Sequence, residues 1–320
     1  MGACSNRLGY FGKIPTRSDF VKLTHDVQVM AMLDGWLAQV MSRLPADPRW
    51  KLYYDQMPPV SFAFVGHDRR HAVAGHLVAS HDQSGRRFPF LMMRALEVPD
   101  PPGFVAHCPI AFEPLWAFAE TMAPKVLEAN DATPHLQAIA DAGMALAAYG
   151  GELGAFLATG TVCSLGKLLG EDSVSRLILA LGLLLQPVMH SKPAALHKSL
   201  MLPLPEDGPM RCVVASFWLE LLTPFVRRVP FDLALFLTSQ DGKPVLVVGF
   251  SGSAAETLRG IIDPLAGVEQ QVRFTDTGWI DEQIGLDIDV RALASYLDQP
   301  QLPLRMARDL FLKTFIGAES

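Results

Sequence analysis

The apolar positions of this chain change period several times, and each change marks an element. A short run from Leu8 to Phe11 ends at Gly12-Lys13 and turns through Ile14-Pro15, because proline disfavours helix in the residue before it. Asp19 or Ser18 then stands where it would cap the next element. From Val27 to Met41 the residues Val29, Met32, Leu33, Trp36, Leu37 and Val40 recur at three- and four-residue intervals, one face of a helix. A proline-rich interval, Leu44 to Pro59, ends it. Three short apolar runs follow, Val60–Val65, Ala72–Ala79 and Phe88–Leu96, separated by the turn-rich GHDRR and SHDQSGR, the pattern of an antiparallel meander. Helical spacing resumes over Phe112–Ala129 and Leu136–Tyr149. The first half therefore reads β-α-β-β-β-α-α.

The second half opens on a glycine-rich joint, YGGELG (Tyr149–Gly154), which divides the chain into an N-terminal α/β domain, 1–150, and a C-terminal helical region with a β-hairpin, 151–320. The apolar run Leu177–Met189 reads as a core helix and Val213–Val226 as another. DLALFLTS and PVLVVGF flank Gln240-Asp241-Gly242-Lys243, and Asp-Gly between apolar runs is a strong hairpin signal. The tail, Val290–Phe315, is helical and broken at QPQLP. The fold class is α/β (α+β): a mixed, largely antiparallel sheet with helices on both faces, since the element order leaves a sheet that needs cover. The hairpin either extends this sheet or starts a subdomain.

Composition narrows the function. With 320 residues and 50% hydrophobic content the chain can bury a large core. A net charge of −6 and a pI near 5.8 argue against a nucleic-acid surface. The four cysteines, Cys4, Cys108, Cys163 and Cys212, lie far apart with no CxxC pair, which fits buried thiols in a reducing cytosol. The start MGACSN lacks the Ser or Thr that myristoylation wants at Asn6, and no apolar leader segment follows it. Leu177–Met189 is too short to span a bilayer. The expected location is cytoplasmic.

Each chemical motif has a plainer explanation. In GYFGKIPTRSDF, Gly9 to Phe20, a phosphate loop would need glycine at Arg7 and Ser or Thr at Ile14; both fail. His67, His71, His76 and His81 crowd one region, but on a strand His76 faces away from His71 and His81, so no metal site forms. VLVVGFSGS resembles a nucleophile elbow at Ser251, yet Ser253 stands where the second glycine belongs, and Ser253 with Glu256 reads as a capping box. In SHDQSGRRFPF, Asp82 and Gly85 suit a type I turn. Arg86 and Arg87 beside it read as a solvated face or an anion-binding pair.

GYFGKIPTRSDF and SHDQSGRRFPF together resemble the two signatures of the TagF (ImpM) family, accessory proteins of bacterial type VI secretion. The first has the form G-[FY]-[FY]-G-K-[LIV]-P-x-R-[GS]-D-F, matched at Gly9, Gly12, Lys13, Pro15, Arg17, Asp19 and Phe20. The second, S-x-D-x-x-G-R-x-F-P, is matched at Ser80, Asp82, Gly85, Arg86, Phe88 and Pro89. LDGWL at Leu33–Leu37 is similar to the family's W-D-x-W-L helix with Leu33 replacing the first Trp. PVSF (Pro59–Phe62) stands where the family often shows W-R-F, which removes any partner contact made by that Trp-Arg pair.

The resemblance implies a regulator rather than an enzyme. It restrains assembly or firing of the secretion apparatus after translation, by engaging a cytoplasmic forkhead-associated scaffold protein. It implies Lys13, Arg17, Asp19, Ser80, Asp82, Gly85 and Arg86 as signature or partner-binding residues, with no catalytic residue, cofactor or metal. A second class stays open: a small hydrolase or ligand-binding domain using the Arg17/Asp19 and Asp82/Arg86 loops. A concave pocket lined by those four residues would favour the second class, and a flat, rigid loop surface the first. Both signatures are polar segments next to predicted strand ends, where opposite charges could pair, so Lys13, Arg17 and Asp19 are expected close to Asp82 and Arg86.

Overall fold

The structure, a computed structural model, describes residues 7–66, 70–98, 101–189, 196–227, 231–274 and 278–317. The strands among them are β1 (Gly9–Gly12), β2 (Val21–Leu23), β3 (Val60–Val65), β4 (His71–Val78), β5 (Phe90–Glu97), β6 (Ser199–Pro203), β7 (Leu233–Gln240), β8 (Lys243–Gly249) and β9 (Gln271–Arg273). They form one sheet in the order β2-β1-β5-β4-β3-β7-β8-β6-β9. Every neighbouring pair is antiparallel except β6 and β9. The late hairpin extends the first sheet: β7 pairs β3 from Ser61↔Leu237 to Val65↔Leu233. Its turn carries positive φ at Asp241 (53°) and Gly242 (78°), the backbone an Asp-Gly hairpin demands.

The helices are α1 (Val27–Arg43), α2 (Trp50–Asp55), α3 (Pro101–Glu128), α4 (Thr133–Asp141), α5 (Gly151–Thr159), α6 (Val162–Leu169), α7 (Val174–Leu185), α8 (Gly208–Val226), α9 (Ala255–Ile262), α10 (Pro264–Gln270), α11 (Ile280–Leu286), α12 (Ile288–Leu297) and α13 (Leu304–Phe315). They cover both faces of the sheet. On one face Phe62, Phe64 and Phe236 pack on Trp36 of α1, with ring centroids 5.5, 4.9 and 6.1 Å from it, and α9 joins this core. On the other, Ala63, Val65, Ala74, Leu235 and Val248 meet α3 and α8 in a core that also takes in Leu8 and Phe315. Burial on both faces explains why β3, β7 and β8 read as near-continuous apolar runs. Gly75 sits where the layers are tightest, and a Cβ there would lie 2.6 Å from Phe62 Cζ and 2.4 Å from Met92 O.

Several boundaries differ from the sequence reading. The segment after Asp19 is strand β2, so Ser18 and Asp19 cap no helix. The Asp19 carboxylate accepts from Phe20 N at 2.7 Å, while α1 is capped by Asp26, which accepts from Gln28 N and Val29 N. The proline-rich interval contains α2. Helix α3 begins eleven residues before Phe112 and contains Pro109, Pro114 and Pro124. An interior proline costs about 3 kcal/mol, but Phe104, Cys108, Phe112 and Ala119 are fully buried, and that apolar contact holds the helix through its breaks. The expected helix Leu136–Tyr149 stops at Asp141. Beyond it the chain alternates exposed and half-buried residues, as an extended segment does, and Ala147 N donates to Ala111 O at 3.1 Å. Part of the glycine-rich joint is the first turn of α5.

The Ser253–Glu256 capping box does not form. Helix α9 starts at Ala255 with no side-chain cap, and Gly252 N donates to Asp232 O at 2.6 Å in the turn before it. Glu256 instead pairs with Arg43 and Arg259. Of the histidines, His71 and His81 are exposed, His76 is buried on the other face of β4, and His67 lies outside the described residues. Among the described residues no three His, Cys, Asp or Glu converge as a metal site would require. Helix α8 is long and apolar enough to cross a membrane by composition alone, but 72% of its apolar window is buried inside the fold.

Candidate functional site

Strand β1 ends at Gly12 beside the start of β5, and this pairing brings the two signature loops together. Gly12 has φ 134°, and an added Cβ would stand 2.0 Å from Pro89 O, so the first loop leaves the sheet against the second with no room for a side chain. The loops are then tied by polar contacts centred on Asp82, which is fully buried. Lys13 Nζ donates to Asp82 Oδ2 at 2.9 Å and Arg86 Nε donates to the same oxygen at 2.7 Å. The other carboxylate oxygen, Oδ1, accepts from Ser84 N (3.0 Å), Ser84 Oγ (2.7 Å) and Arg86 N (3.0 Å). Burial alone would raise the Asp82 carboxyl. The bonds from Lys13, Ser84 and Arg86 outweigh it and hold the group well below the usual carboxylate range.

Backbone bonds complete the tie. Arg86 Nη2 donates to Ser18 O at 2.8 Å, Gln83 N to Arg17 O at 2.9 Å, and Ser80 Oγ to Lys13 O at 2.6 Å. The turn itself closes through Gly85 N to Asp82 O at 2.9 Å, with Gly85 at φ 80°. Behind it Tyr54 of α2 donates its hydroxyl to Ser80 O at 2.9 Å and accepts from Ser80 N at 3.0 Å. Burial pushes the Tyr54 hydroxyl well above its ordinary pKa, so it stays protonated. Arg87 is no solvated turn residue, because it donates two bonds to Asp55 at 2.7 and 2.6 Å. Phe11, Phe20 and Phe88 pack as a trio, and Lys13 Nζ lies 5.1 Å over the Phe20 ring.

The seven signature residues therefore lie in one place but divide into two sets. Lys13, Ser80 and Asp82 are buried and hold the loops together. Arg17, Asp19, Gly85 and Arg86 are exposed. Arg17 and Asp19 take no part in the carboxylate tie. Arg17 Nη2 instead donates to Thr133 Oγ1 at 2.8 Å, and Asp19 bonds its own loop. Tyr54 and Thr133 were not singled out from the sequence: they come from other elements, and no local spacing pointed to them.

Compared with known proteins, residues 9–142 match the family model described as the TagF N-terminal domain, type VI secretion system-associated. Over that stretch the chain is similar to a TagF N-terminal domain. It spans both signatures, the whole of the tie and Thr133. A solved structure, the crystal structure of PA0076 from Pseudomonas aeruginosa PAO1, is similar at 26% identity over 43% of this chain and 64% of that one, with a TM-score of 0.34. The chain thus matches just under two thirds of that protein's length. No curated protein matches. PVSF, the departure from the TagF pattern, is interior: Val60 and Ser61 are 0% and 3% exposed, so neither side chain is available to a partner.

Proposed function

We propose that this protein is a non-enzymatic regulator of bacterial type VI secretion. On this reading it works in the cytoplasm, binding a component of the apparatus and restraining its assembly or firing. The type VI association of the TagF domain supports the setting. The observation that carries the binding role is the Asp82 tie. Its polar groups are occupied by one another, and they back an exposed rim of Arg17, Ser18, Asp19, Gln83, Ser84 and Arg86 with half-exposed Phe20 beside it. That arrangement suits a preorganised recognition surface, whose ordering entropy is already lost before a partner arrives. The alternative, hydrolysis or ligand capture by the same loops, asks for a free base or acceptor, and Asp82 already receives five donors.

The partner we propose is the forkhead-associated scaffold. Such domains read phosphothreonine through arginine clusters, and a chain of net charge −6 suits a basic surface. The test is affinity capture from a lysate of the source bacterium, compared with Arg17→Ala and Asp19→Ala variants that melt as the parent does. Recovery of the scaffold with the parent and its loss with the variants is expected. Recovery of no secretion component, or turnover of an ester or phosphate substrate by the pure protein, overturns the reading.

A further inference from the structure

Away from the signature loops, a cavity of about 710 Å³ opens between the sheet and helices α3 and α8. Its size suits a small molecule, for which sites of roughly 300–1,000 Å³ are usual. Its polar lining is one-sided. Helix α3 contributes Glu113, Glu120 and Glu128, and among the described residues the single cation is Arg211 of α8, whose guanidinium donates to the carbonyls of Pro205 and Glu206. Neither Glu113 nor Glu120 has an ion-pair partner within 4 Å among the described residues. Burial raises both carboxyls above their ordinary pKa. The Glu152 charge adds to this at Glu113, whereas Arg211 and the Ser61 hydroxyl oppose it at Glu120.

The sheet side adds a further acceptor. His76 lines the cavity and is 2% exposed, with Nδ1 2.9 Å from Ser61 Oγ. Burial pushes the imidazole down to about 4, so it is neutral. The Ser61 hydroxyl has one proton. With that proton directed to the Glu120 carboxylate, Ser61 Oγ accepts from His76 Nδ1–H, and Nε2, which has no protein partner among the described residues, offers a lone pair. Buried His76 Nε2 and half-buried Glu113, with Glu120 exposed beside them, are acceptors short of donors, a deficit that a ligand's N–H groups would fill.

We propose that this cavity binds a small organic dication of the linear alkyl diamine or polyamine class. The ammonium groups would meet Glu113 and Glu120, and the alkyl chain would run past Trp116 and Leu237. The two carboxylates lie seven residues apart on α3, two turns or about 10 Å along its axis, a spacing that a linear polyamine can bridge. The proposal stands apart from the secretion reading and either can fail alone. Cys212 lines the same cavity and reports on it.

The experiment follows Cys212 modification in a variant with the other cysteines replaced by serine or alanine. It uses the cationic reagent 2-aminoethyl methanethiosulfonate and its anionic sulfonatoethyl counterpart, with spermidine as the competing probe. The cationic reagent is expected to react at least about tenfold faster, and millimolar spermidine to slow it. Glu113→Gln and Glu120→Gln should each weaken spermidine binding, measured by calorimetry at fixed ionic strength, by about tenfold, or about 1.4 kcal/mol. The exposed pair Glu282→Gln with Asp289→Asn should leave it unchanged. Equal rates for the two reagents, no protection by spermidine, or binding that survives both glutamine variants would overturn the proposal. Calorimetry of spermidine on the parent protein decides the matter even if a variant fails to fold, since no binding there overturns the proposal.

Discussion

Replacing Tyr54 with Phe removes one oxygen and keeps the ring, and it tests whether the signature loops are held from behind. The ring is 1% exposed, so its packing is unchanged. The lost hydroxyl donates to Ser80 O at 2.9 Å and accepts from Ser80 N at 3.0 Å. These two losses are unequal. Ser80 O keeps the bond from Phe88 N at 3.1 Å, whereas the Ser80 N–H has no replacement acceptor. A buried donor left unmatched costs about 1–3 kcal/mol, and the phenol's own desolvation, no longer incurred, offsets part of it. The expected net loss is about 1–2 kcal/mol in urea unfolding. Tyr53→Phe on the same helix, where the hydroxyl has no partner among the described residues, should stay within about 0.5 kcal/mol. Ser80→Ala cuts the 2.6 Å bond to Lys13 O and so loosens the same loop. The double variant should therefore lose less than the sum of the singles by at least about 0.5 kcal/mol. Hydrogen exchange gives a local readout, in which Ser80 amide protection falls by roughly 5- to 30-fold in Tyr54→Phe. Stability within about 0.3 kcal/mol of the parent (a change too small for a lost buried donor), together with unchanged Ser80 protection, would refute the reasoning.

Lys13→Met should destabilise the protein clearly more than Lys22→Met, exposed on strand β2, because it leaves the buried Asp82 carboxylate with Arg86 as its one cation; equal thermal midpoints would refute this. Asp82 has a depressed carboxyl, so its stabilisation is present above the ordinary carboxylate range and drains away as pH falls below about 4; Asp82→Asn should be less stable at neutral pH, with a shallower acid limb in unfolding measured from pH 5 downward. His76 is lowered from 6.5 to about 4, so below pH 6.5 the unfolded chain takes up a proton that the fold refuses. Stability then falls by up to about 3 kcal/mol by pH 4, at ~1.4 kcal/mol per pH unit. The raised Glu113 and Glu120 act in the opposite sense, and the difference between parent and His76→Gln across pH 4–7 isolates the histidine; parallel curves would show no such contribution. Gly75→Ala forces a Cβ to 2.4 Å from Met92 O and should cost about 1–3 kcal/mol by denaturant midpoint.

The meander, the hairpin and α1 were legible because their signals are local. The apolar runs of β3 to β5 between turn-rich separators, the Asp-Gly turn at 241–242 and the Trp36 stripe each sit inside one short window of sequence. What could not be read was decided elsewhere in the molecule. Pro109 and Pro114 look like helix ends until α8 is laid against Phe104, Phe112 and Ala119, when burial outweighs the missing bonds. The alanine-rich stretch after Asp141 has helix propensity, but its apolar residues Met144, Leu146 and Tyr149 pack on the core from an extended segment, and its backbone bonds to α3. Ser253 and Glu256 have capping-box spacing, but the Gly252 turn delays the helix and Arg43, more than two hundred residues away, takes the carboxylate.

The candidate site shows the same division more sharply. Two polar signatures, one ahead of the meander and one between its last two strands, were visible as residues, but which were structural and which were displayed depends on the register of β1 against β5. Gly9 stands opposite Met93 and Gly12 opposite Phe90, which puts Lys13 beside Asp82. A one-residue slip would turn Phe11 out of its core and carry Lys13 away from the carboxylate. Asp82 then has a reason to be Asp: its two oxygens accept from Lys13, Ser84 and Arg86 where no water reaches. Arg17 and Asp19 have no such internal requirement. Arg17 reaches a single hydroxyl on Thr133 and Asp19 a neighbouring amide, bonds that many polar residues could supply. Under the proposed function these exposed side chains face a partner, and that partner's surface is where the change of either should be felt.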